Sequence, residues 1–184
     1  MTTREKPTSR HTATQQKAIA PQLATVTDLT PEEVQSVTTV INPLVADAFA
    51  LYTKTKNYHW HLSGSHFRDY HLLFDKQAKD ILKSIDVMAE RVRRIGGTTI
   101  RSIKHISQLQ TIQDDNDEFV PPGEMAKRLM DDNAHSAQML RAAVKIVEDN
   151  HDTATANALE DLLDQAERRK WFLFEVVQGQ NNAG

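Results

Sequence analysis

Residues 59–97 read HWHLSGSHFRDYHLLFDKQAKDILKSIDVMAERVRRIGG. The short polar turn Ser63-Gly64-Ser65 separates two helical patterns, and Gly96-Gly97 ends the second with the residue type best suited to a helix C-terminus. Arg91, Arg93 and Arg94, just before that stop, suit the negative end of a helix dipole. The stretch predicts a long helix from about His66 to Ile95. A tight turn joins it to the helix before it, so the two lie antiparallel.

Upstream, Thr30-Pro31-Glu32-Glu33 is a start signal. Thr30 caps, Pro31 suits the first helical position, and Glu33 completes a capping box. Apolar residues follow at helical spacing (Val34, Val37, Ile41, Leu44, Val45, Ala48, Tyr52), which predicts a first helix to about Leu62 with a local kink at Pro43. Downstream, residues 98–122 read as a connector with a short helix near Ser102–Leu109 and a break at Pro121-Pro122-Gly123. A third long helix over about Glu124–Asn150 and a fourth over about Thr153–Val177 share another short link. No strand pattern or internal repeat competes. Helices of this size are ~45 Å long, and an extended connector of about 25 residues spans up to ~80 Å. The connector can therefore run the length of the bundle. The expected fold is all-α, a ferritin-like four-helix bundle with one long crossover, carrying a short helix, between the second and third long helices. The expected domain organisation is a flexible basic N-terminal tail over 1–28, the bundle over 29–178 and a short C-terminal tail over 179–184.

The composition is that of a globular protein, with 39% hydrophobic and 26% charged residues among 184, enough for one core. Cysteine is absent, which excludes disulfides, thiolate metal sites and a cysteine nucleophile. The N-terminus lacks the apolar stretch of a secretory signal, and no continuous apolar run suggests a membrane span. The expected location is the cytoplasm. The net charge of −3 hides an asymmetry, because Arg4, Lys6, Arg10 and Lys17 against Glu5 give the first 25 residues +3 and leave −6 for the rest. A basic tail on an acidic body suggests different partners for each. HExxH, the phosphate-binding loop, G-x-G-x-x-G and G-x-S-x-G are all missing.

The second helix carries the chemistry. With His71 at zero and ~100° per residue, Asp75 falls near 40°, Asp86 near 60° and Glu90 near 100°, all on one face. Imidazole and carboxylate are ligands for a borderline or hard metal ion. Yet His71 and Glu90 lie ~28 Å apart along the axis, so one helix cannot close one site from both. The spacing resolves this. The pairs 71/90 and 75/86 share a midpoint between residues 80 and 81. A two-fold axis there would bring His71 to a partner's Glu90 and Asp75 to a partner's Asp86, making two equivalent sites in a self-complementary dimer. The plainer alternative is a solvated face of acidic residues. Nearby histidines favour the metal, with His59 as a further ligand and His61 and His66 as surface or interface residues. An intrasubunit di-metal site would need two Glu-x-x-His motifs. The chain has one, Glu148–His151, at a helix end.

Lys56-Asn57-Tyr58-His59-Trp60-His61-Leu62-Ser63-Gly64, then Phe67, His71, Phe74-Asp75, Asp86-Val87-Met88-Ala89-Glu90-Arg91 and Gly96-Gly97, with the late Lys170–Glu175 run, resemble the Dps family, the DNA-binding proteins from starved cells or miniferritins. The resemblance covers about residues 30–178. It implies a hollow homododecamer built from two-fold dimers. It also implies a ferroxidase site that takes His59, His71 and Asp75 from one subunit and Asp86 and Glu90 from its partner. The substrate would be iron, Fe(II) oxidised to Fe(III), typically with hydrogen peroxide, and the ferric product would be stored in the cavity, protecting DNA from oxidative damage. Trp60 matches a family tryptophan that is either a radical trap or a packing residue. Trp171 reads as packing. Glu148, Asp149, Asp152 and Asp161 either line a cation-entry pore or form a solvated helix cap. Arg4, Lys6, Arg10 and Lys17 in twelve tails would bind DNA phosphates with avidity, or they form a solubilising tail. The competing functional reading is a structural, nucleoid-compacting protein with a secondary metal site.

Overall fold

The computed structural model describes residues 19–181, with side chains to residue 178. Five helices follow in order: α1 Pro31–His61, α2 Phe67–Arg94, α3 Ile103–Leu109, α4 Pro122–Asp149 and α5 Thr153–Asn181. The four long ones form the expected bundle, and α3 rides on the crossover against α1. The N-terminal basic residues lie outside the described chain. Residues 19–28, grouped with the tail by sequence, include one 3-10 turn at Pro21–Leu23, where Arg93 donates to the Leu23 carbonyl at 2.8 Å. At the other end α5 continues to Asn181, so the helix absorbs part of the expected C-terminal tail.

Local signals explain the helix ends. Thr30 Oγ1 accepts from the Glu33 amide at 3.2 Å while Glu33 Oε2 accepts from the Thr30 amide at 2.8 Å, a complete capping box. α1 runs unbroken through Pro43. Pro122 is the first residue of α4 rather than part of a break before it, because proline needs no amide partner there. α2 ends in a Schellman motif. The Gly96 amide donates to the Arg93 carbonyl at 3.1 Å, and the Gly97 amide to Val92 at 2.9 Å, with Gly96 at φ +88°.

Gly97 is needed for a different reason, close approach. A methyl group there would stand 2.2 Å from Thr38 Oγ1 and 3.1 Å from the Val92 carbonyl oxygen. Gly97→Ala is expected to lower stability by about 1–3 kcal/mol, the usual cost of overpacking, read as a fall in the urea midpoint with an unchanged slope.

Contacts along α1 set the helix directions. Lys54, near its C-terminal end, pairs with Asp132 early in α4 at 2.7 Å, while Glu33 at its start meets His151 after α4 at 2.7 Å. α4 is therefore antiparallel to α1 and parallel to α2, which is why the α2–α4 link must run the whole bundle. Phe74, Ile81, Leu129, Leu159 and Leu173 fill the interior. By length and composition α1 alone among the described helices is apolar enough to cross a membrane, and 61% of that window is buried inside the bundle, as in a core helix.

Candidate metal centre

His59 sits in the last turn of α1 and His71 in the second turn of α2, brought together by the short link. Their rings stack with centroids 3.8 Å apart and planes 25° apart. Each ring is held by the other's backbone. His59 Nδ1 lies 2.9 Å from the His71 carbonyl oxygen, and His71 Nδ1 lies 3.1 Å from that of His59. A carbonyl only accepts, so both Nδ1 atoms donate. In the neutral rings the lone pair is then on Nε2, the atom left for a metal. The His59 carbonyl is one of the last four of α1, which have no partner within the helix, so this contact satisfies an otherwise orphaned acceptor. Phe67 stacks on the other side of His71 at 5.0 Å.

Asp75 lies one turn beyond His71. Lys79 Nζ is 2.6 Å from its Oδ2 and Lys56 Nζ is 3.1 Å from its Oδ1. Hydrogen bonds from Lys79 first, then Lys56, hold its carboxyl down to about 2, so it is an anion throughout the neutral range. Lys56 in turn lies 5.6 Å from the centroid of Trp60. Sequence reading missed both lysines. Lys79 had a visible signal, its i+4 spacing from Asp75. Lys56 lies on another helix and had none.

Asp86 is exposed and forms no ion pair among the described residues, while Glu90 bonds Arg94 one turn on. Both lie on the α2 stripe that carries His71 and Asp75, and the stripe also shows exposed Leu72 and Leu82. Among the described residues no three histidine or carboxylate groups gather closely enough to hold an ion within one subunit. The structure thus brings His59 and His71 together, places Asp75 one turn along α2 in the grip of Lys56 and Lys79, and leaves Asp86 and Glu90 further along the same helix.

The other residues singled out from sequence divide. Trp60 is 63% exposed, which removes core packing as its role in the single chain. Trp171 is 57% exposed in the single chain, donates to Glu175 Oε1 at 2.9 Å and packs edge-on against Phe172 at the surface rather than in the core. Glu148, Asp149 and Asp161 are exposed. Asp152 is buried, and its Oδ1 accepts from the Thr155 amide at 3.0 Å and from Arg91 at 2.9 Å. That carboxylate caps α5 and is spent on structure. His151 turns away from Glu148 at φ +63° to meet Glu33, so the lone Glu-x-x-His spacing builds no ligand pair.

Comparison with known proteins agrees with this fold. The family model for the ferritin-like domain matches residues 39–180. An uncharacterized low temperature-induced protein of Nostoc sp. is 33% identical over 83% of this chain and 86% of its own length. DNA protection during starvation protein 2 of Bacillus anthracis is 28% identical over 73% of this chain and 91% of its own. Among solved structures, DpsC from Streptomyces coelicolor superposes with a TM-score of 0.80 at 27% identity, covering 83% of this chain and 90% of that one. The class is thus the ferritin-like helical bundle. Within it, the chain belongs to the Dps family.

Proposed function

We propose that this protein is an iron-sequestering ferroxidase of the cytoplasm whose sites form across a two-fold axis between subunits. One subunit supplies His59, His71 and Asp75, and its partner supplies Asp86 and Glu90. The observation that carries this reading is the reciprocal His59–His71 arrangement, which leaves two Nε2 atoms free, with Asp75, ionised throughout the neutral range, one turn further along α2 on a face whose remaining carboxylates match a dyad register. The exposed Leu72 and Leu82 on the same stripe support a face that a partner covers. Membership of the Dps family supports iron as the substrate, a hollow dodecamer as the assembly and protection of DNA as the consequence.

The chemistry follows from the donor set. Nitrogen and carboxylate ligands hold Fe(II) with positions open for an oxidant, and the anionic carboxylates favour the more highly charged product. With hydrogen peroxide, two Fe(II) ions each give up one electron, the O–O bond takes both and breaks, and two hydroxides result. The ferric product moves into the cavity and hydroxyl radical is not released. Trp60, exposed beside the site, is placed to intercept a stray radical. Iron would enter past Glu148, Asp149 and Asp161, whose charge concentrates cations. Arg4, Lys6, Arg10 and Lys17, outside the described residues, would hold DNA phosphates nearby.

Stopped-flow oxidation of Fe(II) by peroxide tests the reading. Asp75→Ala and Glu90→Ala should each slow it by at least ~100-fold, beyond the 10–100-fold typical of losing an outer partner of a ligand. Unchanged rates in both variants would refute it.

A further inference from the structure

On the far side of α2, about 140° round the helix from the ligand stripe, a cleft opens between α2 and α5. It is lined by Lys76, Gln77 and Asp80 from α2 and by Gln165, Arg168 and Arg169 from α5. Arg169 is only 8% exposed. Its Nε donates to Asn133 Oδ1 at 2.8 Å, an acceptor that is itself fully buried. Its Nη1 has no partner, and among the described residues no ion pair joins it to a carboxylate. Burial pushes its guanidinium down to about 10, against the opposing pull of the nearby Asp80 charge, so it stays cationic at neutral pH. Asp80 already serves Lys76 at 3.5 Å. Buried charges are ordinarily paired, because an uncompensated one costs several kcal/mol. Here three cationic side chains face one carboxylate, and Arg168 is steadied over Phe172 at 5.6 Å from its ring centroid.

We propose that this cleft is a binding site for a small free oxyanion of the phosphate class, seated on Arg169 and Arg168 with the Gln165 amide and the Lys76 ammonium around it, while the Gln77 amide, which donates to the Arg169 carbonyl at 3.2 Å, holds α5 in place. Guanidinium forks and amide donors match tetrahedral oxyanions. The depth of Arg169 selects a small ion over a phosphate within a polymer, which could not follow it between two helices. The site is independent of the ferroxidase reading, since none of its residues belongs to the proposed ligand set.

The test is calorimetric titration of inorganic phosphate into iron-free, full-length protein in its native assembly, at constant ionic strength set with chloride. The expected result is one phosphate per chain in the wild type. Arg168→Gln, at an exposed position, should weaken it ~10–100-fold, the worth of a charge-assisted hydrogen bond. Arg169→Met should remove it. Duplex DNA should not compete. Failure of the wild type to take up phosphate would overturn the proposal, and would mean that some other group neutralises Arg169. Equal binding by wild type and Arg168→Gln, or displacement by chloride or DNA, would overturn it too. Retained iron oxidation in Arg168→Gln separates a failure here from a failure of the metal centre.

Discussion

Subunits carrying Asp75→Ala, mixed and reassembled with subunits carrying Glu90→Ala, should recover about a quarter of the wild-type rate of iron oxidation, although each variant alone is nearly inactive. The reasoning is geometric. In a two-fold dimer each site takes Asp75 from one chain and Glu90 from the other. In a mixed dimer one site receives both substitutions and the other receives neither. Random pairing makes about half the dimers mixed, and each then holds one intact site of two. A site built within one chain would recover nothing, because every chain would carry a lesion. Peroxide-dependent oxidation, followed before and after dissociation and reassembly, reads the difference. Recovery near zero with native assembly intact would disprove the shared site. The result tests the arrangement rather than the ligands singly, and so separates a split centre from an acidic patch that merely attracts iron.

Asp47→Ala should be the most damaging substitution away from that centre, lowering stability by about 3 kcal/mol. Asp47 is 4% exposed on α1 and holds the crossover in place. Its Oδ1 accepts from the Ile112 amide at 3.0 Å and from the Thr111 amide, and its Oδ2 accepts from Thr111 Oγ1 at 2.7 Å. Truncation strands the buried Ile112 amide and takes the Thr111 amide's acceptor as well. Thr111→Ala removes only one of these bonds and should cost about 1 kcal/mol. The midpoints of urea unfolding, measured at one protein concentration so that assembly contributes equally, give the comparison. Equal losses would show that the Asp47 cluster does not organise the crossover.

The bundle was largely legible because its signals are local. The Thr30–Glu33 box, the Gly96-Gly97 stop and the lengths of the links each act within a few residues or through chain connectivity alone. Errors fell where tertiary partners override local pattern. The stretch 19–28 lacks periodicity, yet Arg93 from the end of α2 anchors it. Pro122 looked like a break and is a helix start. Trp171 read as packing, but whether it faces the core depends on the rotation of α5, which its apolar content does not specify.

The candidate centre divides in the same way. Sequence alone determined the candidate ligand types, their shared face on α2 and the midpoint between residues 80 and 81, because helical period and residue spacing are properties of the chain. Tertiary structure decided how those side chains are held. Only the packing of α1 against α2 stacks His59 on His71, turns each Nδ1 to the other's carbonyl and so exposes Nε2. That packing also brings Lys56 to Asp75, while the packing of α5 against α2 and α4 buries Asp152 as a helix cap and encloses Arg169 with no ion pair of its own among the described residues. These depend on distances between residues far apart in the chain, and hydrogen bonding at that range is set by how whole helices pack.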